Sequence, residues 1–170
     1  MDCMKRIFII FFFACILSGC IAEEYKGSEV MVGDQLPEFS VQMNDGTIID
    51  GLSLKGNISF VMFFHPSCPD CRQALPEVQR IYNEYLSRGV VFALISRECG
   101  SDEIESYWYE KGFNIPYSAQ TDKTVYNMFA SSRIPRIYIS DEKGTVRYIF
   151  TDDPVASYDD LKSSVESLIR

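Results

Sequence analysis

Two nearly unbroken apolar runs, residues 58–64 and 90–95, stand out against an otherwise mixed chain. Runs of this length predict central strands covered on both faces. Between them, residues 69–88 carry Leu75, Val78, Ile81, Tyr82, Tyr85 and Leu86 at three- and four-residue spacing, with Gly89 after the last of them. That rhythm predicts an amphipathic helix with a glycine stop. Strand, long helix and strand make a βαβ unit, so the two strands are expected to lie parallel. Ahead of it, residues 39–43 and 47–50 flank Asn44-Asp45-Gly46, a hairpin signal because these residues tolerate positive φ, and residues 52–57 read as a connection.

The second half follows a different rhythm. Ser101-Asp102-Glu103 opens a predicted helix over 101–111 that Gly112 ends. Residues 116–119 suit a short strand and 123–131 a short helix. Residues 134–139 and 146–151 surround Asp141-Glu142-Lys143-Gly144 and predict an antiparallel hairpin. Leu161, Val165 and Leu168 mark a closing amphipathic helix over 158–169. The expected architecture is α/β: one mixed central sheet flanked by helices on both faces, within a single domain over residues 36–170.

The first 19 residues do not belong to that domain. Lys5 and Arg6 form a positive start, and residues 7–17 are an apolar stretch too short for a lasting membrane anchor. Leu17-Ser18-Gly19-Cys20 resembles the bacterial lipobox, which implies a cleaved signal peptide and a lipidated Cys20 as the first mature residue. The protein is then expected in the bacterial cell envelope, lipid-anchored on the periplasmic side. Residues 20–35 read as a flexible tether. The acidic residues Glu23 and Glu24 resemble signals that send some lipoproteins to the cell surface. The whole chain carries a net charge of −8, or −9 once the +1 leader is set aside. Such a surface repels phosphate backbones and argues against nucleic acid as a partner.

Chemistry concentrates where the first apolar run ends, in His65-Pro66-Ser67-Cys68-Pro69-Asp70-Cys71. A C-x-x-C on the first helical turn suits dithiol–disulfide exchange. Zinc would need a second ligand pair; His65 is the single histidine and Cys99 stands alone, so no metal is expected. Cys68 sits at the helix start, where free N–H groups and the positive end of the macrodipole favour a thiolate, so it is the expected nucleophile. Cys71, one turn in, is the expected resolving thiol. Pro69 suits the first helical position, while Asp70 opposes the dipole and Arg72 offsets part of that opposition. Cys99 follows the second apolar strand and is either a third redox thiol or a packed cysteine. Tyr107, Trp108 and Tyr109 read as helix packing plus one exposed ring.

The order of elements, the C-x-x-C after the first central strand and the Ile134-Pro135 step look like a thioredoxin fold. The front hairpin and the insertion between Ser101 and Ala130 resemble membrane-tethered TlpA/ResA-type thiol-disulfide oxidoreductases, a group related to the redoxin, peroxiredoxin and AhpC/TSA families. The resemblance spans residues 33–170. It implies a helix-kinking proline at Pro76 and a cis Pro135 facing the disulfide, with Ile134 lending its backbone to a substrate strand. It further implies a monomer with no cofactor beyond the Cys68–Cys71 disulfide, acting on protein thiols and fed electrons by a membrane thiol donor. Reduction is the expected direction.

The pattern also departs from its relatives. Met62 and Ala74 stand where such proteins carry buried acids, and Ser67 replaces an aromatic before the first cysteine. Glu98 is therefore the candidate proton acceptor for Cys71, with His65 as a loop or packing residue. Two other activities stay open. A thiol peroxidase would use Cys68 against peroxide, although His65 occupies the position where a Thr or Ser is expected. A non-catalytic lipoprotein that binds metal or peptide would keep the disulfide only as a staple.

Overall fold

The computed structural model describes residues 29–169; the leader and Cys20 lie outside them. The first apolar run becomes β3 (Ser59–Phe64), fully buried and central in a five-stranded sheet. On one side β3 pairs in parallel with β4 (Val91–Ser96), which pairs in parallel with the short β5 (Tyr117–Ser118). On the other side it pairs antiparallel with β6 (Arg136–Ser140), which in turn pairs antiparallel with β7 (Val146–Phe150). A separate hairpin joins β1 (Ser40–Gln42) to β2 (Ile48–Asp50). The mixed α/β architecture is the expected one.

Successive side chains of a strand face opposite layers, and β3 uses both. Phe64 packs on Trp108 of α3 (Ser101–Lys111), and Phe60 on Phe92, which meets Tyr82 of α2 (Pro69–Tyr85). Phe63 points the other way, into Tyr126 of α4 (Thr124–Asn127), Phe129 and Tyr138. α5 (Tyr158–Glu166) lies against α2, tied by Tyr85 Oη donating to Glu166 at 2.9 Å and Lys162 to Glu84 at 2.9 Å.

Several expectations need correction. The connection after β2 contains a one-turn helix, α1 (Gly51–Leu54), because Asp50 and Ser53 form a reciprocal capping box. The long helix gives way to a 3-10 turn over Leu86–Arg88 before Gly89, whose φ is +84°. α4 is four residues long rather than nine, since tight turns over Met128–Ala130 replace its second half. The segment assigned to the C-terminal part of the tether is docked. Val30 is buried and donates to Phe129 O at 2.9 Å, Val146 donates to Asp34 O at 2.8 Å, and Arg136 pairs with Glu29. The folded unit therefore includes residues 29–35, ahead of the expected start at 36.

Candidate active site

Strand register gathers the chemistry at one sheet edge. Phe64 and Ser96 are partners in the parallel β3–β4 pair, so both chains leave the sheet on the same side. Because β6 is antiparallel and starts opposite Phe63, the Ile134–Pro135 step enters from that side too. After Phe64, a turn closed by Cys68 N–H on His65 O at 3.0 Å brings the chain to the helix. Cys68 is the N-cap of α2 with extended backbone, and Pro69 takes the first helical position as expected.

Cys68 and Cys71 stand as neighbouring free cysteines at the tip of α2. Cys68 is partly exposed, whereas Cys71 is fully buried. The Cys71 N–H donates to Cys68 Sγ at 3.4 Å, so negative charge on that sulfur during exchange meets a helix N-terminus. The Cys68 thiol donates to Ile134 O at 3.5 Å, and the Ile134–Pro135 bond is cis. Burial is the main cause pushing the Cys71 thiol far above its ordinary range; its hydrogen bond with Cys68 and the charge of Asp70 add to this. The pair is thus asymmetric: one sulfur can be reached, and the other waits behind it as a protonated reserve.

The remaining predicted residues separate into those at the site and those turned away. Asp70 is half-buried and acts on Cys71. Arg72 does not neutralise it in the expected way: its Nε donates to Pro66 O at 2.6 Å and its guanidinium lies over the Tyr107 ring at 5.3 Å. Met62 and Ala74 are fully buried, so both positions that hold acids in relatives are apolar here. Glu98, the candidate acceptor, is exposed and pairs with Lys123 at 3.1 Å; it is not among the groups acting on the Cys71 thiol. Pro76 lies inside α2. Tyr107 and Trp108 are buried and Tyr109 is 91% exposed, the division expected.

Two features went unseen in the sequence. Tyr126 Oη donates to Arg133 O at 2.7 Å, and Arg133 adopts φ +71°, so a buried ring holds the residue that precedes Ile134. Cys99, alone in sequence, has company in space: donor atoms of His65, Cys99 and Glu103 lie within 4.8 Å of one another. Burial, then the Glu103 carboxylate, pushes the Cys99 thiol up to about 12. Tyr126 reaches Arg133 only seven positions on, through a turn rather than a regular element, and His65 comes to Cys99 and Glu103 from the end of a different strand.

A central βαβ unit, a C-x-x-C at the helix tip and a cis proline opposite the first sulfur define a thioredoxin-like protein. The AhpC/TSA family model matches residues 32–149, and the chain belongs to that family. It is 24% identical over 128 residues to thiol-disulfide oxidoreductase ResA of Bacillus subtilis (strain 168), covering 75% of this chain and 72% of that protein. It is 25% identical over 130 residues to the thioredoxin-like protein YneN of the same organism, covering 75% and 76%. Its fold superposes with a TM-score of 0.77 on the solution structure of a putative protein disulfide isomerase from Bacteroides thetaiotaomicron. That alignment is 17% identical and covers 84% of this chain and 92% of the other.

Proposed function

We propose that the protein is a thiol-disulfide oxidoreductase that reduces protein disulfides in the cell envelope. The observation that carries this reading is the asymmetry of the pair: Cys68 Sγ partly exposed beside Ile134 O, with Cys71 sealed beneath it. Cys68 thiolate attacks a substrate disulfide, forming a mixed disulfide and releasing one substrate thiolate. Cys71 then gives up its proton to solvent or to that leaving thiolate and attacks Cys68 Sγ. The second substrate sulfur leaves, and the Cys68–Cys71 disulfide holds the oxidising equivalents. No other cofactor enters this cycle.

The names of the relatives support exchange chemistry, and ResA is among them. The envelope location and the lipid on Cys20 rest on the leader and lipobox residues, and a membrane thiol donor rests on the resemblance to TlpA/ResA-type proteins. Among the described residues no helix is long and apolar enough to cross a membrane. The reductive direction depends on the reduction potential of the pair, and a value near or below about −220 mV supports it.

The test is insulin or model-peptide disulfide reduction by the pre-reduced protein. Cys68→Ser should abolish it, and Cys71→Ser should hold substrate as a stable mixed disulfide on Cys68. Full activity in Cys68→Ser would end this reading. Consumption of peroxide at enzyme-like rates by the wild-type dithiol would replace it with the peroxidase.

A further inference from the structure

His65, Cys99 and Glu103 come from three different segments. His65 lies in the loop after β3, Cys99 follows β4, and Glu103 sits in the first turn of α3. Backbone bonds fix the Cys99 position: its N–H donates to Gln120 O at 2.8 Å and its carbonyl accepts from Ser96 Oγ at 2.8 Å. Cys99 is almost fully buried; its sulfur makes a long hydrogen bond of 3.6 Å to the neighbouring Gly100 O and also interacts with the Glu103 carboxylate. His65 Nδ1 approaches Glu103 Oε1 at 3.8 Å. An imidazole, a thiol and a carboxylate thus converge from three directions on one small volume, and the dithiol mechanism uses none of them.

We propose that His65, Cys99 and Glu103 bind one divalent cation of the zinc class beside the active-site loop. The donor set fits that ion: one imidazole nitrogen, one thiolate and one carboxylate are all zinc ligands, and the two anions balance a double positive charge. Copper(I) would ask for more sulfur. Tetrahedral bond lengths put zinc ligands roughly 3.3–3.8 Å apart, so closing from the present spread asks for about 1 Å of movement. Glu103, whose side chain is more than half exposed, is free to supply it. Two competing contacts must give way: His65 Nδ1 now accepts from Ser67 N–H at 3.1 Å and meets Ser67 Oγ at 2.9 Å. Either the exposed Ser67 releases that nitrogen or the ring turns to offer the other one. Three protein ligands leave the fourth position to water. Binding converts the Cys99 thiol to thiolate and releases its proton to solvent, so affinity rises with pH, and no electron is transferred.

The active-site dithiol would itself chelate such ions, so the full chain is tested as the Cys68→Ser/Cys71→Ser variant, with cobalt(II) as the spectroscopic probe and zinc(II) as competitor. The expected result is one equivalent of cobalt bound with a thiolate-to-metal charge-transfer band, displaced by zinc. Adding Cys99→Ser removes the band. Adding Glu103→Gln or His65→Ala weakens binding by at least about 100-fold, beyond the usual effect of an outer-shell partner. Glu103→Gln alters an exposed side chain, so its result does not depend on refolding. If the double variant shows no thiolate band at stoichiometric cobalt, or if Glu103→Gln and His65→Ala leave the affinity unchanged, the site does not exist.

Discussion

The thiol of Cys68 points at the main-chain oxygen of Ile134, 3.5 Å away across 66 positions of sequence. The next residue, Pro135, has no N–H to offer, so the loop presents an acceptor rather than a donor towards the sulfur. In the reduced protein the sulfur donates to that oxygen and accepts from the Cys71 N–H at 3.4 Å. Once the sulfur is ionised or joined to a substrate, the donor to Ile134 O is gone. Under the proposed function, that oxygen is then free to pair with the backbone of an extended substrate strand.

This geometry predicts which thiol reacts. Iodoacetamide at neutral pH should modify Cys68 at least about 100-fold faster than Cys71 or Cys99, because only thiolates that solvent can reach are alkylated quickly. Cys71 is fully buried and Cys99 nearly so, and burial raises both thiols. Peptide mapping after timed labelling of the reduced protein checks the order. Equal labelling of Cys71 and Cys68 would contradict the asymmetry on which the exchange cycle stands.

Tyr126 is a positioning residue for the same loop. Its hydroxyl donates to Arg133 O at 2.7 Å, and Arg133 is held at a φ of +71°, which L-residues adopt at a cost. Tyr126→Phe keeps the ring against Phe63 and removes that one bond, for a loss of about 1 kcal/mol in stability. The specific consequence lies in kinetics. KM for a protein disulfide should rise several-fold while reduction of a small aromatic disulfide, which needs no backbone pairing, stays near wild type. Arg133→Gly should restore stability lost to strain, by about 0.5–1 kcal/mol. Equal effects on both substrates would reduce Tyr126 to a packing residue.

How much of this was legible in the chain follows from the reach of each signal. The apolar runs that became β3 and β4 needed no partner to be read, because burial on both faces leaves no polar alternation. α3 was bounded correctly by acidic residues in its first turn and by Gly112 at φ +66°. Cys68 and Cys71 declared themselves by spacing. The docked stretch ahead of residue 36 did not. Of the short apolar run Val30-Met31-Val32 only Val30 is buried, and the backbone partners of this segment, Phe129 and Val146, lie about a hundred positions away. His65 and Cys99 follow different strands, which hid their approach, and α4 ends early where tight turns over Met128–Ala130 take over. Glu98 looked like the acid at the sheet edge, and its pairing with Lys123 draws it away.

The buried thiols give an alkaline signature. Cys71 and Cys99 have an ordinary value near 9 in the unfolded chain, and in the fold both are raised, Cys99 to about 12. Below pH 9 both states keep these protons and the full stability is present. Above it the unfolded chain loses protons that the folded chain retains, so stability falls as pH rises from about 9 towards the folded values. Buried tyrosines such as Tyr85 add the same sign only from about pH 10 upward. The window between pH 9 and 10 therefore isolates the cysteines. Urea unfolding of the reduced protein should show a declining midpoint across that window, and Cys99→Ser should flatten part of the decline. A midpoint independent of pH there would mean that neither thiol is shielded.

Asp70 supplies the last prediction, because it is the carboxylate that acts on Cys71 while Met62 and Ala74 leave the buried acid positions apolar. Resolution of a mixed disulfide needs Cys71 to lose its proton, and a negative charge one residue away makes that loss harder. Asp70→Asn removes the charge and keeps the shape at a half-buried helix-start position. The residual Coulomb effect through water and protein at such range is about 0.5–1 kcal/mol, equivalent to about a two- to fivefold change in rate. Stopped-flow decay of the mixed disulfide should accordingly quicken by that factor at pH 7, with the difference shrinking as salt is raised and screens the charge. If Asp70 instead accepts the Cys71 proton, the same variant slows resolution, at low and high salt alike. The two roles predict opposite signs from one substitution, and the raised Cys71 thiol favours the faster variant.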